Sequence, residues 1–521
     1  MDPASTLIVA TWGNPGGWHS AKYSVEVDID KTNVGSEKEV GIVPVEQNFK
    51  STLGALQSVF DGHSLILASN TLASFEKVEE ASFECVLRAA ERYMRSKLDQ
   101  GYLNTSKSFE LLILPGTGRF MKNGNGYFET MGTPLLYMLC AFREVAKRIM
   151  NRSVSRVVLD ISHGVNYMPL MAYRSVVAAI HYYSLLKDSS IELLVYNSDP
   201  ITPDGGEAVI HLVERTKVEP SRALEHAYES SKRLNEKELS KLFIKPPSAY
   251  REKAKLANKL KEARNELVYK LETTKEYIQR AKGFVNGARK GLPLYLMYQL
   301  AELAKLDPPN PLSPLEGLET KSIVEFEGNN IRVIYLANPS EEALDLIFTI
   351  ALLHRLIKDG ENLTRSSFTL DSLRSVIDNY IVERFSSTIA RHEMDDIENR
   401  IEASKAIFEK FNLSLTEAPY QLVYELCEAK AGEEKVIEAY RENPERFTDW
   451  LHNHFDELKP QAEKLLREHQ DYKCEGSKID KRNFYAHAGL ERHAVRVNLR
   501  EKTLEYYPEC LETVRKYANE D

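Results

Sequence analysis

The chain has 521 residues, too many for one compact core, so about two to four domains are expected. A hydrophobic share of 43% beside 28% charged residues is that of an ordinary globular protein and excludes a disordered or fibrous chain. The net charge of −9 argues against a surface coated for gripping long nucleic acid, although a small basic pocket remains compatible with it.

The opening stretch MDPASTLIVATWG lacks a basic leader and turns polar after a short apolar run, so it reads as a first strand and not as a signal peptide. No run of about 18 apolar residues follows anywhere, and no membrane partner is expected. Short runs rich in Val, Ile and Leu recur at 6–11, 64–69, 110–116, 156–162 and 191–199. Their length and composition suit strands buried on both faces. Amphipathic stretches near 72–98, 131–150 and 167–188 are long enough for helices between them. The alternation predicts an α/β domain, Rossmann-like, with an open and mostly parallel sheet over residues 1–219. The alternating segment EAVIHLVERTKV (207–218) is expected to close that sheet as an antiparallel edge.

Residues 220–339 read as a mixed connector. It is mostly helical, with a proline-rich loop at 307–314 and a β-hairpin over 322–337 turning at Gly328-Asn329-Asn330. From 340 to 521 the pattern is helical apart from a short extended stretch near 494–506, which predicts a C-terminal all-α domain. The five cysteines are scattered without a C-x-x-C pair, which suits reduced thiols in a cytoplasm.

In an open α/β sheet, ligands bind beyond the carboxyl ends of the strands. Three loops there are unusual: TWGNPGGWHS (11–20), PGTGRF (115–120) with the glycine-rich NGNGY (123–127) after it, and SHGVNYMP (162–169). Glycines permit close approach to a phosphate, aromatic faces stack on bases, and Arg119, Ser162, His163 and Asn166 supply donors. The same residues could instead mark tight turns and plug the sheet end. No G-x-x-x-x-G-K-[ST] occurs, and Gly116-Thr117-Gly118 does not complete G-x-G-x-x-G, so an NTPase or a dehydrogenase is disfavoured.

The C-terminal domain carries KRNFYAHAGLERH (481–493) after Gly476-Ser477, which is expected to end the preceding helix. Asp480 is a candidate N-cap and Gly489 a candidate stop, which would place the motif in a short helix whose first N–H groups attract phosphate. Asn483 and His487 share a face, whereas Arg482 and His487 are about 140° apart on an ideal helix. That separation is poor for a self-contained site and improves if two copies pool their arginines and histidines. A histidine to move a proton and an arginine to hold phosphate suffice for RNA cleavage by its own 2′-hydroxyl, so no metal and no cofactor is expected.

Taken in order, ATWGNP at the first strand, DISHGVNYMP after the fourth and RNFYAH near the end resemble the CRISPR-associated CARF–HEPN ribonucleases of type III systems, in their archaeal form. The resemblance spans nearly the whole chain except the connector. It implies a CARF domain that binds a cyclic oligoadenylate, expected to be cyclic tetraadenylate, across the axis of a homodimer or a higher oligomer of dimers. It also implies a HEPN domain that then cuts single-stranded RNA without metal. By motif, Arg482 and His487 would be catalytic and Asn483 would orient them. Trp12, Gly13 and Asn14, then Gly116, Thr117, Gly118 and Arg119, then Ser162, His163, Gly164 and Asn166 would hold the activator. Two alternatives remain: a CARF sensor coupled to a DNA-binding module, for which the hairpin at 322–337 would be a wing, and a CARF domain that degrades its own activator.

Overall fold

The computed structural model describes residues 6–520 apart from 30–38, 99–100, 105, 123–125, 202–205, most of 236–273, 337, 362, 364–366 and 470–471. The first part of the NGNGY stretch therefore lies outside the described residues. The chain divides into two compact units. One comprises Met1–Glu276 with Pro309–Leu352, the other Tyr277–Pro308 with Leu353–Asp521, so the chain passes between them three times. The expected connector is shared between the two. Among the described residues no helix is long and apolar enough to cross a membrane.

The first unit is built on strands β1 (Thr6–Trp12), β2 (Lys22–Ile29), β3 (Glu39–Pro44), β4 (His63–Ser69), β5 (Phe109–Leu114), β6 (Gly118–Met121), β7 (Tyr127–Met131), β8 (Arg156–Asp160), β9 (Ile191–Ser198), β10 (Glu207–Val218) and the short β11 (Phe243–Ile244). Eight of them form one sheet in the order β3-β2-β10-β9-β8-β1-β4-β5. The five strands from β9 to β5 in that order are parallel. Every residue of β1 is buried, as expected of a central strand with helices on both faces. The helices described in the N-terminal part of this unit are α1 (Thr52–Val59), α2 (Phe83–Leu98), α3 (Pro134–Arg152), α4 (Met168–Lys187) and α5 (Pro220–Arg233). The apolar stretch expected as one helix over 72–98 is a 3-10 segment, Asn70–Phe75, followed by α2.

Two expectations are corrected here. Strand β10 is antiparallel to β9 but is not the edge, because β2 pairs with it and β3 extends the sheet further. Tyr23 and Val25 of β2 are fully buried, an alternation within KYSVEVDI that adds a strand to those expected. Gly118 and Arg119, expected in a loop, begin strand β6 of a second sheet, ordered β12-β13-β7-β6, in which β12 is Ser322–Glu327 and β13 is Asn330–Tyr335. The predicted hairpin is thus real, and β13 runs parallel to β7.

The second unit is mostly helical. Its main helices are Pro293–Leu303, Leu370–Tyr380, the long helix Arg384–Lys410, Tyr420–Glu428, Phe455–Glu468, the motif helix Lys481–Ala486 and the C-terminal helix Leu511–Asn519. It also holds a small four-stranded sheet made by Phe368–Thr369, Thr503–Tyr506, Val495–Asn498 and Glu417–Pro419 in that order. The extended stretch expected near 494–506 supplies its two inner strands. Cys474 and Cys510 are joined by a disulfide, whereas Cys85, Cys140 and Cys427 are free and buried. The expectation of reduced thiols throughout is therefore wrong for one pair. A separation of 36 residues in sequence hid the proximity of the two cysteines.

Candidate functional sites

In the first unit the chain leaves β1 toward β4 and β5 on one side, and later builds β8 and β9 on the other. The crevice beyond β1 and β8 is the point where strand order reverses, the usual ligand position in such sheets. Two of the predicted loops meet there. A Cβ placed on Gly13 would lie 3.2 Å from the carbonyl carbon of Gly164, so the two backbones touch because neither residue has a side chain. Gly164 has φ +144°, which side chains of L-residues rarely adopt. The third loop is tied in at Thr117, whose N–H donates to the Tyr167 hydroxyl at 3.1 Å and whose Oγ1 donates to the Gly132 carbonyl.

Beneath the loops runs a polar support. Asp160, at the end of β8, accepts the Ser162 N–H at 3.0 Å and the Thr52 hydroxyl at 2.5 Å. The Ser162 Oγ accepts the Ser198 N–H, and the Thr11 hydroxyl donates to the His163 carbonyl. The His163 ring stacks on Trp18 at 3.9 Å. Burial lowers its pKa, against an opposing pull from Asp160, so the imidazole is neutral at neutral pH. Asn14 accepts from the Gly16 N–H and the Tyr93 hydroxyl. Arg119 lies over the Tyr127 ring at 3.6 Å.

Exposure separates the predicted ligand residues into two groups. Asn14, Gly118, Arg119, Gly164 and Asn166 are exposed, and Thr117, Ser162 and His163 are partly so. Gly13 and Gly116 are buried, as is Trp12, which packs edge-on to Trp18 at 5.1 Å. Trp12 therefore offers no face to a ligand and supports Trp18 from below.

In the second unit the motif helix is only six residues long. Phe484 anchors it in the core, and the Tyr485 hydroxyl donates to the Tyr517 carbonyl at 2.6 Å, fastening it to the C-terminal helix. Asp480 is the N-cap, accepting the Asn483 N–H at 2.7 Å. This partly corrects the expectation of a phosphate cradle, since that N–H is already taken by a carboxylate. The preceding helix ends at Glu468, and Gly476–Lys478 forms a separate 3-10 turn. Gly489 stops the helix as expected, with φ +76° and its N–H donating to the Phe484 carbonyl.

His487 is the C-cap and faces a cleft of about 190 Å³. Asn483, Glu393, Tyr424, Glu491 and Arg492 also line it, whereas Arg482 does not. His487 Nδ1 lies 3.1 Å from Glu393 Oε2 on the long helix. That contact raises the pKa of His487 against the opposing effects of desolvation and Arg492. Two guanidinium groups lie over the Tyr424 ring, Arg400 at 4.3 Å and Arg492 at 4.8 Å from its centre. Glu491, buried, has its carboxyl pKa pushed up by that burial.

Residues 7–200 match the family model described as CRISPR system endoribonuclease Csx1, CARF domain. Residues 384–507 match the model described as CRISPR system endoribonuclease Csx1, HEPN domain. The two models together account for more than half of the chain. The chain belongs to the CARF–HEPN family of CRISPR ribonucleases. It is also similar to a CRISPR system endoribonuclease Csx1 from Methanocaldococcus jannaschii, 28% identical over 219 residues. That alignment spans 41% of this chain and 41% of the relative.

All of the predicted activator residues fall within the CARF match, and Arg482, Asn483 and His487 fall within the HEPN match. Sequence reasoning missed Trp18 and Asp160, although both lie inside quoted motifs. Arg492 lies inside the quoted stretch KRNFYAHAGLERH, outside its R-x4-H pattern, and only the fold brings it into the cleft. Glu393 was missed entirely: it lies in RHEMDDIENR, where acidic and basic residues are so frequent that no single one stands out.

Proposed function

We propose that the protein is an endoribonuclease of type III CRISPR antiviral defence, working in the cytoplasm as a homodimer or a larger assembly of dimers. It cuts single-stranded RNA without metal and is switched on by a cyclic oligoadenylate, with cyclic tetraadenylate the first candidate. The observation that carries this reading is the cleft in which Asn483 and His487 stand beside Arg492, within the segment matched to a HEPN domain.

The chemistry needs only these groups and the substrate. The RNA 2′-oxygen attacks phosphorus as its proton leaves, the bond from phosphorus to the 5′-oxygen breaks, and that oxygen takes up a proton. A neutral His487 accepts the first proton, and a charged one supplies the second. Two copies facing each other would provide one histidine in each state. Arginine stabilises the charge that grows on the phosphate. The place of Arg482 outside the cleft suits such pooling, with the Arg482 of one copy serving the His487 of its partner.

The test is an RNA cleavage assay on the full-length protein with oligoadenylate rings of different size, with and without EDTA. Cleavage should appear with cyclic tetraadenylate and persist in EDTA. His487→Ala should abolish it while leaving activator binding, followed by calorimetry, unchanged. Cleavage that needs a divalent ion, or full activity in His487→Ala, would overturn the reading.

A further inference from the structure

Three carboxylates, Glu393, Asp396 and Glu491, line the cleft beside His487. Asp396, on the long helix, is paired with Arg400 at 2.9 Å and with Arg441. Glu491, on the segment after the motif helix, accepts the His493 N–H at 2.8 Å and the Ala494 N–H. Glu393 is the carboxylate that meets the histidine. Its side chain is 16% exposed and that of His487 50%, so the less exposed group holds one that opens to solvent.

We propose that Glu393 is a positioning residue for His487: its carboxylate holds Nδ1–H, which fixes the neutral tautomer and leaves Nε2 as the nitrogen that exchanges protons with substrate. This rests on the reading of the cleft as an RNA-cutting site. A ring held this way can act as base and as acid through one atom. Neutral, Nε2 carries a lone pair; charged, it carries a proton, and in both states Nδ1–H stays on Glu393.

The surroundings set the pH at which the ring changes state. Glu393 contributes the largest effect and favours the charged ring; Glu491 adds to it, while burial and Arg492 oppose it. Tyr420 and Tyr424 face the cleft from the helix Tyr420–Glu428. Burial pushes the Tyr420 phenol further up, so it stays neutral through the working range. Because the folded value is raised, the pair stabilises the fold fully below the unfolded histidine value, about 6.5, and that contribution is lost as pH rises through the folded value.

The experiment uses full-length protein carrying ¹⁵N-labelled histidine, with the His487 ring signals assigned by their absence in His487→Ala. In the wild type at high pH the nitrogen shifts should report the Nδ1–H tautomer, and in Glu393→Gln the ring should titrate at lower pH. The same variant should lose about tenfold or more in kcat at little change in KM, part of the roughly 10²–10⁴-fold that a positioned acid or base supplies. The limb of its pH–rate profile that follows His487 should move down. A wild-type Nε2–H tautomer would overturn the proposal without requiring any variant to fold. So would a Glu393→Gln protein with an unshifted titration and an unshifted pH profile. If the wild type cleaves no RNA with any ring size, the ribonuclease reading fails while the titration still judges the Glu393–His487 contact.

Discussion

Gly116 is held where even one methyl group has no place. A Cβ there would lie 2.1 Å from Ser69 Oγ and 2.6 Å from Thr71 Cγ2, and the Gly116 N–H already donates to Asn70 Oδ1 at 2.8 Å. Gly116→Ala should therefore destabilise the protein by about 1–3 kcal/mol, read as a lowered midpoint in denaturant unfolding. Gly17→Ala is the control: nothing lies within 4 Å of its Cβ, and its midpoint should stay within about 0.5 kcal/mol of the parent. At this scale the sequence marked residues by type and not by access. Asn483, His487, Asn166 and Arg119 could be picked out and are reachable. Trp12 comes from the ATWGNP motif that carries the resemblance, yet it is covered, and of the two tryptophans in that loop Trp18 is the one with a face near the surface. Period and composition cannot tell two such residues apart when the turn between them decides which one is covered.

Among the elements, the disulfide brackets the motif helix. It ties the segment just before that helix to the start of the C-terminal helix, on which Tyr485 also rests. Closing a loop of 36 residues constrains the unfolded chain by about 3–4 kcal/mol in the chain-entropy model. Reduction, or Cys474→Ser, should thus lower the thermal midpoint of the second unit. Calorimetric scans with and without reductant check this; equal midpoints would show that the bridge adds nothing to the native state. The parallel strands were legible because each is a short run with a continuous Val, Ile and Leu centre. Strand β2 was not, since a half-buried strand carries only every second apolar residue and a KYSVEVDI pattern passes for a polar connection. The motif helix was legible through its caps, although the role of Asp480 in occupying an N–H could be seen only once the cap had formed.

For the molecule as a whole, the proposed activator should act on the CARF unit first. A ligand that binds only the folded state at about 100 times its Kd adds roughly 2.7 kcal/mol. Cyclic tetraadenylate should accordingly raise the transition of the first unit in a calorimetric scan, and should do so equally in His487→Ala. A scan unchanged by saturating ligand would argue against the crevice beyond β1 and β8 as its site. The order of the two units could be read from the chain, because the change from strand–helix alternation to continuous helix is abrupt after Pro220. Which core the segment 277–352 joins could not. Helix Pro293–Leu303 and hairpin β12–β13 each bury an apolar face, and apolarity does not name the partner that covers it.

The three passages of the chain between the units restrict how the protein can be taken apart. A cut at any single peptide bond leaves at least one unit short of a segment, so neither can be moved to another protein as an uninterrupted cassette. Moving the first unit would require grafting Pro309–Leu352 along with Met1–Glu276. Fusion to an unrelated protein at one breakpoint would leave at least one unit incomplete.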